Sequence, residues 1–114
     1  MSLDACAGIV ARGDPDRFLA AMTAPLAQRG DLLALYAFNV EVSRAPWVTP
    51  EPLIAEMRLQ WWLDALDELT LGKTPRRHEV FDEISRIVRD HNLSTDLLTG
   101  LVTARRFDVH GGEP

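Results

Sequence analysis

An all-α fold is predicted by three features of this 114-residue sequence. Apolar residues recur at helical spacing within each segment. Pro and Gly fall between the segments, where they end one helix and open the next. No segment shows convincing strand character. Five or six helices are expected, packed as a bundle, with no internal repeat and no low-complexity tract.

The first helix carries Leu3, Cys6, Ala7 and Val10 on one face and stops near Arg12-Gly13. Asp14-Pro15 reads as a capping carboxylate followed by Pro at the first helical position. Phe18, Leu19 and Met22 give the second helix a small apolar face, and Pro25 breaks it. Gly30-Asp31 is then expected to lead into a central helix ending by Ala45, because Pro46 disfavours α conformation in its predecessor.

That central helix organises the chain. From Leu32 to Val42 only Asn39 and Glu41 are strongly polar. Leu32, Leu35, Tyr36, Asn39, Val40 and Ser43 follow the i, i+3, i+4, i+7 pattern. A helix apolar on nearly every side belongs inside a bundle. Asn39 and Ser43 carry polar atoms inward, either as a satisfied buried amide and hydroxyl or as the wall of a cavity.

Thr49-Pro50-Glu51 reads as the start of a helix that runs to about Leu71 and is closed by Gly72. Ile54, Met57, Trp61, Trp62, Ala65 and Leu69 form its expected apolar side, with Glu56, Gln60 and Asp67 facing away. Arg58 falls within the apolar sector. Either its stem packs on the tryptophans with the guanidinium in water, or it is buried in a pair with a carboxylate. Lys73 to Arg77 form a basic linker. Val80, Phe81, Ile84, Ile87, Val88 and His91 make the cleanest stripe of the sequence, with His91 read as a helix-end residue. Asn92-Leu93-Ser94-Thr95 ends that helix and caps the last one. There Leu97, Leu98, Leu101 and Val102 share a side, and Arg105 and Asp108 extend it. Those two either pair with each other three residues apart or face a polar cavity. His110 to Pro114 is expected to be a loop-like end.

Composition narrows the function classes. Apolar residues make up 46%, the formal net charge is −5 and the pI is near 5.1. An acidic chain lacks the basic face that nucleic acid requires. No run approaches the roughly 18 apolar residues of a membrane span, and no secretory signal opens the chain. One cysteine, Cys6, excludes an internal disulfide and fits a reducing compartment. The expectation is a cytoplasmic protein, with peripheral contact at a membrane surface as a variant. His78, His91 and His110 are scattered, without zinc-ligand spacing.

Three blocks resemble the N-terminal part of the squalene/phytoene synthase family: Ala34-Leu-Tyr-Ala-Phe38, Arg58-Leu-Gln-Trp-Trp62 and Ala104-Arg-Arg-Phe-Asp108. Their order and spacing are near those of the family. The resemblance implies an isoprenoid-synthase-like helical fold. It also implies that residues 1–114 form a single partial domain, with the second half of the family domain absent. Family enzymes join prenyl diphosphates head to head, with Mg²⁺ held by two aspartate-rich motifs on facing helices.

The first motif would follow the Ala-Leu-Tyr-Ala-Phe block within about two turns. That place reads Ser43-Arg44-Ala45-Pro46-Trp47, without an Asp. Val40 stands where the family usually has Arg, and Asp14-Pro15-Asp16-Arg17 replaces a Ser-rich phosphate-binding turn. Glu41 is the only acid nearby; at about 100° per residue it lies two steps round the helix from Asn39 and does not replace the pair. No metal ligand is assigned, and Mg²⁺ is expected only if the family activity is retained. The block Phe38-Asn-Val-Glu41 resembles the subgroup of this family that contains the mitochondrial complex I assembly factor.

The resemblance implies Tyr36, Asn39, Val40, Ser43, Arg58 and Asp108 as candidate lining of a ligand cavity. Three readings follow. One is a protein that binds a prenyl diphosphate or other isoprenoid-like apolar ligand, with little transferase activity. A second is a non-catalytic assembly factor for respiratory complex I, with a protein partner. A third is a genuine prenyltransferase with a divergent motif. The Tyr36/Asn39 side or the Trp61/Trp62 side is expected to be less buried than its composition warrants.

Overall fold

The computed structural model describes residues 2–47 and 49–111, with the backbone alone described at Ser2, Phe107, His110 and Gly111. Among the described residues there are six helices and no strand: α1 Ser2–Gly13, α2 Pro15–Thr23, α3 Leu26–Arg44, α4 Pro52–Thr70, α5 Glu79–His91 and α6 Thr95–Gly111. None is long and apolar enough to cross a membrane. The chain divides into two compact units, Met1–Val40 with Arg76–Leu93, and Glu41–Pro75 with Ser94–Pro114.

In the first unit, α1 packs against both α2 and α5. Asp14 caps α2 as expected, its side chain accepting from the Arg17 N–H, with Pro15 opening the helix. The apolar face of α2 differs from expectation. Ala21 is buried, whereas Leu19 and Met22 are exposed. The small residue lets α2 lie close to its neighbour and turns the longer side chains outward.

α3 begins a full turn before Gly30-Asp31. Pro25 ends α2, and its carbonyl at once accepts from the Gln28 and Arg29 N–H groups of the next helix. Gly30 lies inside α3, and a Cβ there would stand 3.3 Å from a Leu3 methyl. From Arg29 to Ser43 no residue of α3 is exposed, as expected for a wrapped helix. The deepest face is Leu33, Ala34, Ala37 and Phe38. The expected stripe of Leu32, Leu35, Tyr36, Asn39 and Ser43 is half-buried beside it, with Val40 alone fully inside.

Val40 packs on the end of α1. A Cβ on Gly13 would stand 2.6 Å from Val40 Cγ1. Gly13→Ala is therefore expected to lower stability by about 1–3 kcal/mol through overpacking. Adding Val40→Ala should recover part of that loss. Thermal melts of the two single variants and the double variant check the coupling.

α5 buries four of the six stripe residues, Val80, Phe81, Ile84 and Ile87, and Ser85 with them, whereas Val88 is half-buried and His91 exposed at the helix end. Its cap comes from His78, whose Nδ1 accepts from the Val80 and Phe81 N–H groups at 3.1 and 3.3 Å. Asn92, at φ 50°, closes it in the left-handed conformation. Near that end Asp31 meets the Arg86 guanidinium at 3.1 Å and the His91 imidazole at 2.8 Å. Partial burial alone would lower the Arg86 pKa. Its hydrogen bonds to Glu83 and Asp31, with the two carboxylate charges, outweigh that and raise it. A raised pKa in a cation means stability present below the unfolded value, hence throughout the ordinary pH range.

In the second unit α4 packs on α6. The start of α4 is two residues later than the sequence suggests. Thr49 Oγ1 accepts from the Glu51 N–H at 3.1 Å, but Glu51 precedes Pro52 and is held extended at φ −90°, ψ 106°. Helix can form only from Pro52. Gly72, at φ 76°, ends α4, with Gly72 N–H bonded to the Leu69 carbonyl and Lys73 N–H to that of Glu68.

The buried side of α4 is Ala55, Leu59, Trp62, Ala65 and Leu66. Ile54 and Met57, expected inside, are exposed, and Trp61 is half-buried. On α6 the buried residues are Leu98 and Val102, while Leu97 and Leu101 face out. The helix continues through Gly111, past the expected loop at His110-Gly111, and residues 112–114 lie outside the described residues.

Candidate functional site

The six candidate residues divide between the two units. Tyr36, Asn39 and Val40 belong to the first. Tyr36 and Asn39 are half-buried. The Tyr36 ring is faced by the Arg17 guanidinium at 5.5 Å, a cation–π contact that the sequence did not reveal. Val40 is 6% exposed and spent on packing against Gly13, so it lines no open space.

Ser43, Arg58 and Asp108 belong to the second unit. Ser43 is half-buried and Arg58 exposed. Asp108 accepts from Arg105 Nη1 at 2.9 Å, the local pair three residues apart. Asp108 also borders a groove of about 450 Å³ with Pro46, Trp47, Thr49, Pro50, Pro52 and Val109. Arg58 is not part of that groove. The groove was missed in the sequence, although three prolines within seven residues, Pro46, Pro50 and Pro52, do mark a rigid turn able to hold a wall open.

The donor set around the first-motif position does not fit Mg²⁺. It consists of Glu41 and Ser43, with the Arg44 cation beside them. Two residues apart on a helix, Glu41 and Ser43 point about 200° apart and cannot converge on one ion. Asp108 is engaged by Arg105. Among the described residues no group of three or more His, Cys, Asp or Glu side chains could hold a metal ion.

The squalene/phytoene synthase family matches residues 10–113. The chain belongs to the squalene/phytoene synthase family. Its curated relatives include NADH dehydrogenase (ubiquinone) complex I, assembly factor 6 homolog, from Drosophila melanogaster, 35% identical over 88% of this chain and 31% of the relative. The Bos taurus and Homo sapiens proteins named NADH dehydrogenase (ubiquinone) complex I, assembly factor 6, are 29% and 28% identical over 91% of this chain and 31% of theirs. The chain thus spans about a third of the length of these relatives. No solved structure matches it significantly. Both the family and the subgroup agree with the three sequence blocks and with the altered Phe38-Asn-Val-Glu41 run.

Proposed function

We propose that this squalene/phytoene synthase family protein does not transfer prenyl groups and assists the assembly of respiratory complex I. The observation that carries the reading is the run Ser43-Arg44-Ala45-Pro46-Trp47. Ionising an allylic diphosphate requires the departing charge to be absorbed by metal and fixed cations. Without a carboxylate pair here the metal has no first holder. The relatives that share this region are named for complex I assembly, which supports the same reading. Residues 1–114 are taken as one partial family domain, working in the cytoplasm or at a membrane surface against a protein partner.

The groove beside Trp47 and Asp108 favours a second reading, in which an apolar, isoprenoid-like ligand is bound without turnover. One pair of experiments separates the readings. Incubation with farnesyl or geranylgeranyl diphosphate and Mg²⁺ is expected to yield no squalene or phytoene; product at ordinary enzymatic rates would establish a true synthase with a divergent motif. Deleting the gene in the native cell is expected to lower assembled complex I, seen on native gels, and the wild-type gene should restore it. Unchanged complex I would end the assembly reading.

A further inference from the structure

α5 is capped by a residue that titrates. Asn, Asp, Ser and Thr are the preferred caps, and none of them changes charge in the range just below neutrality where an imidazole takes up a proton. Here the cap is His78, extended at φ −164°, ψ 140°. Its Nδ1 accepts from both the Val80 and the Phe81 N–H, at 3.1 and 3.3 Å. A ring nitrogen that accepts carries no proton, so the capping imidazole is neutral with its proton on Nε2. In return Asp82 Oδ1 accepts from the His78 N–H at 3.2 Å. The two capped amides belong to Val80 and Phe81, whose side chains are wholly buried. The charged groups beside the cap are Glu79 and Asp82 in the first turn of α5, with Arg76 and Arg77 in the segment before it. On α1, which packs against α5, Cys6 Sγ approaches the Glu79 carbonyl at 3.9 Å, and the charged residues Asp4 and Arg12 are both exposed. Asp31 of α3 meets α5 at its opposite end, beside Arg86 and His91.

We infer that His78 is a pH-responsive cap, which holds the first turn of α5 while neutral and releases it when protonated. The inference goes beyond the assembly reading and does not depend on it. A proton on Nδ1 turns the acceptor into a donor that faces two other donors at hydrogen-bond distance. It also sets a positive charge at the positive end of the helix dipole. Both effects oppose the capped geometry. The carboxylates of Glu79 and Asp82 offer the imidazolium acceptors in the same turn, so the protonated ring has a second place to go. The uncapped turn binds the proton more readily than the capped one, so a fall in pH shifts the turn toward release. The other end of α5 responds differently. His91 Nε2 lies 2.8 Å from Asp31 Oδ2. A proton on His91 keeps that contact and suits the negative end of the dipole. Acid therefore loosens one end of the helix and not the other, which separates this device from general acid unfolding.

Hydrogen exchange of the full chain, read by NMR at about pH 7.5 and about pH 5.5 and corrected for intrinsic rates, tests the inference. Protection of the Val80 and Phe81 amides is expected to fall about fivefold in acid, the factor equivalent to one cap. Protection of the Asp90 and His91 amides in the last turn should stay within about twofold. His78→Asn keeps a capping acceptor that does not titrate, so its Val80 and Phe81 protection should be the same at both pH values. The ring itself can be read in the unsubstituted protein. Nitrogen-15 shifts of His78 should show the neutral form with its proton on Nε2 at the higher pH. Val80 and Phe81 protection that ignores pH would overturn the inference. So would an equal acid loss in His78→Asn, a proton on Nδ1 at the higher pH, or a loss spread evenly over both ends of α5.

Discussion

Trp62→Ala is expected to lose roughly 3–5 kcal/mol of stability, and Trp61→Ala only about 1–2 kcal/mol. The two residues are adjacent in sequence and identical in type, so the difference isolates burial. Trp62 is 6% exposed and lies on the α4 side that carries Leu59, Ala65 and Leu66, all inside. Removing its indole leaves a cavity that backbone on both sides is too well packed to fill. Trp61 is only partly buried, with the Trp62 ring edge-on to it at 5.1 Å between centroids. Urea denaturation gives the comparison as a shift in midpoint at constant slope. Fluorescence is a selective probe, since all three tryptophans, Trp47, Trp61 and Trp62, lie in the second unit. Equal losses in the two variants would mean that the buried side of α4 has been assigned wrongly.

How far this was legible beforehand depends on which physical signal each element carried. α5 could be read almost residue by residue, because its apolar stripe is narrow and its other side is charged. α3 and α4 could be recognised as helices but not oriented. Both are apolar over much of their circumference, so periodicity left the facing direction open by about one residue, or 100°. On α3 the deepest side proved to be the small residues Ala34 and Ala37 with Leu33 and Phe38, not the Tyr36/Asn39 stripe. On α4 the same rotation moved Ile54 and Met57 out and Ala55 and Leu59 in. The start of α4 was misplaced for a local reason. Pro52 restricts Glu51, and that restriction outranks the capping signal of Thr49.

The candidate site was less legible than the fold. Asn39, Ser43, Arg58 and Asp108 stood out as polar side chains on apolar stripes, and the family resemblance added Tyr36 and Val40; family blocks report inherited scaffold before they report chemistry. Val40 illustrates the difference. The family position is kept, but the side chain there now closes a gap against Gly13. Asp108 remains beside a groove, yet its charge is already matched by Arg105. The proposal that transfer chemistry is absent rests on residue types that can be read directly at positions 43–47. The outward direction of Arg58 and Met57 is revealed only by the folded helix.

Phe81→Ala is expected to cost the first unit roughly 3–5 kcal/mol, a large share of what a domain of this size retains. Phe81 is wholly inaccessible, one turn from the equally buried Ile84 and adjacent to Val80, on a helix that packs against α1. The same residue also supports the start of its helix, where its N–H donates to His78 Nδ1 at 3.3 Å. Truncation keeps that backbone bond, so the loss should come from the emptied ring site and not from the cap. His78→Ala supplies the contrast. It should remove only the cap, at about 1 kcal/mol, and leave the ring site filled. Hydrogen exchange reads the two effects separately. Phe81→Ala should lower protection throughout α1 and α5 together, because both border the cavity. His78→Ala should lower it chiefly in the first turn of α5. A Phe81→Ala variant with α1 protection intact would show that the α1–α5 packing does not depend on that ring.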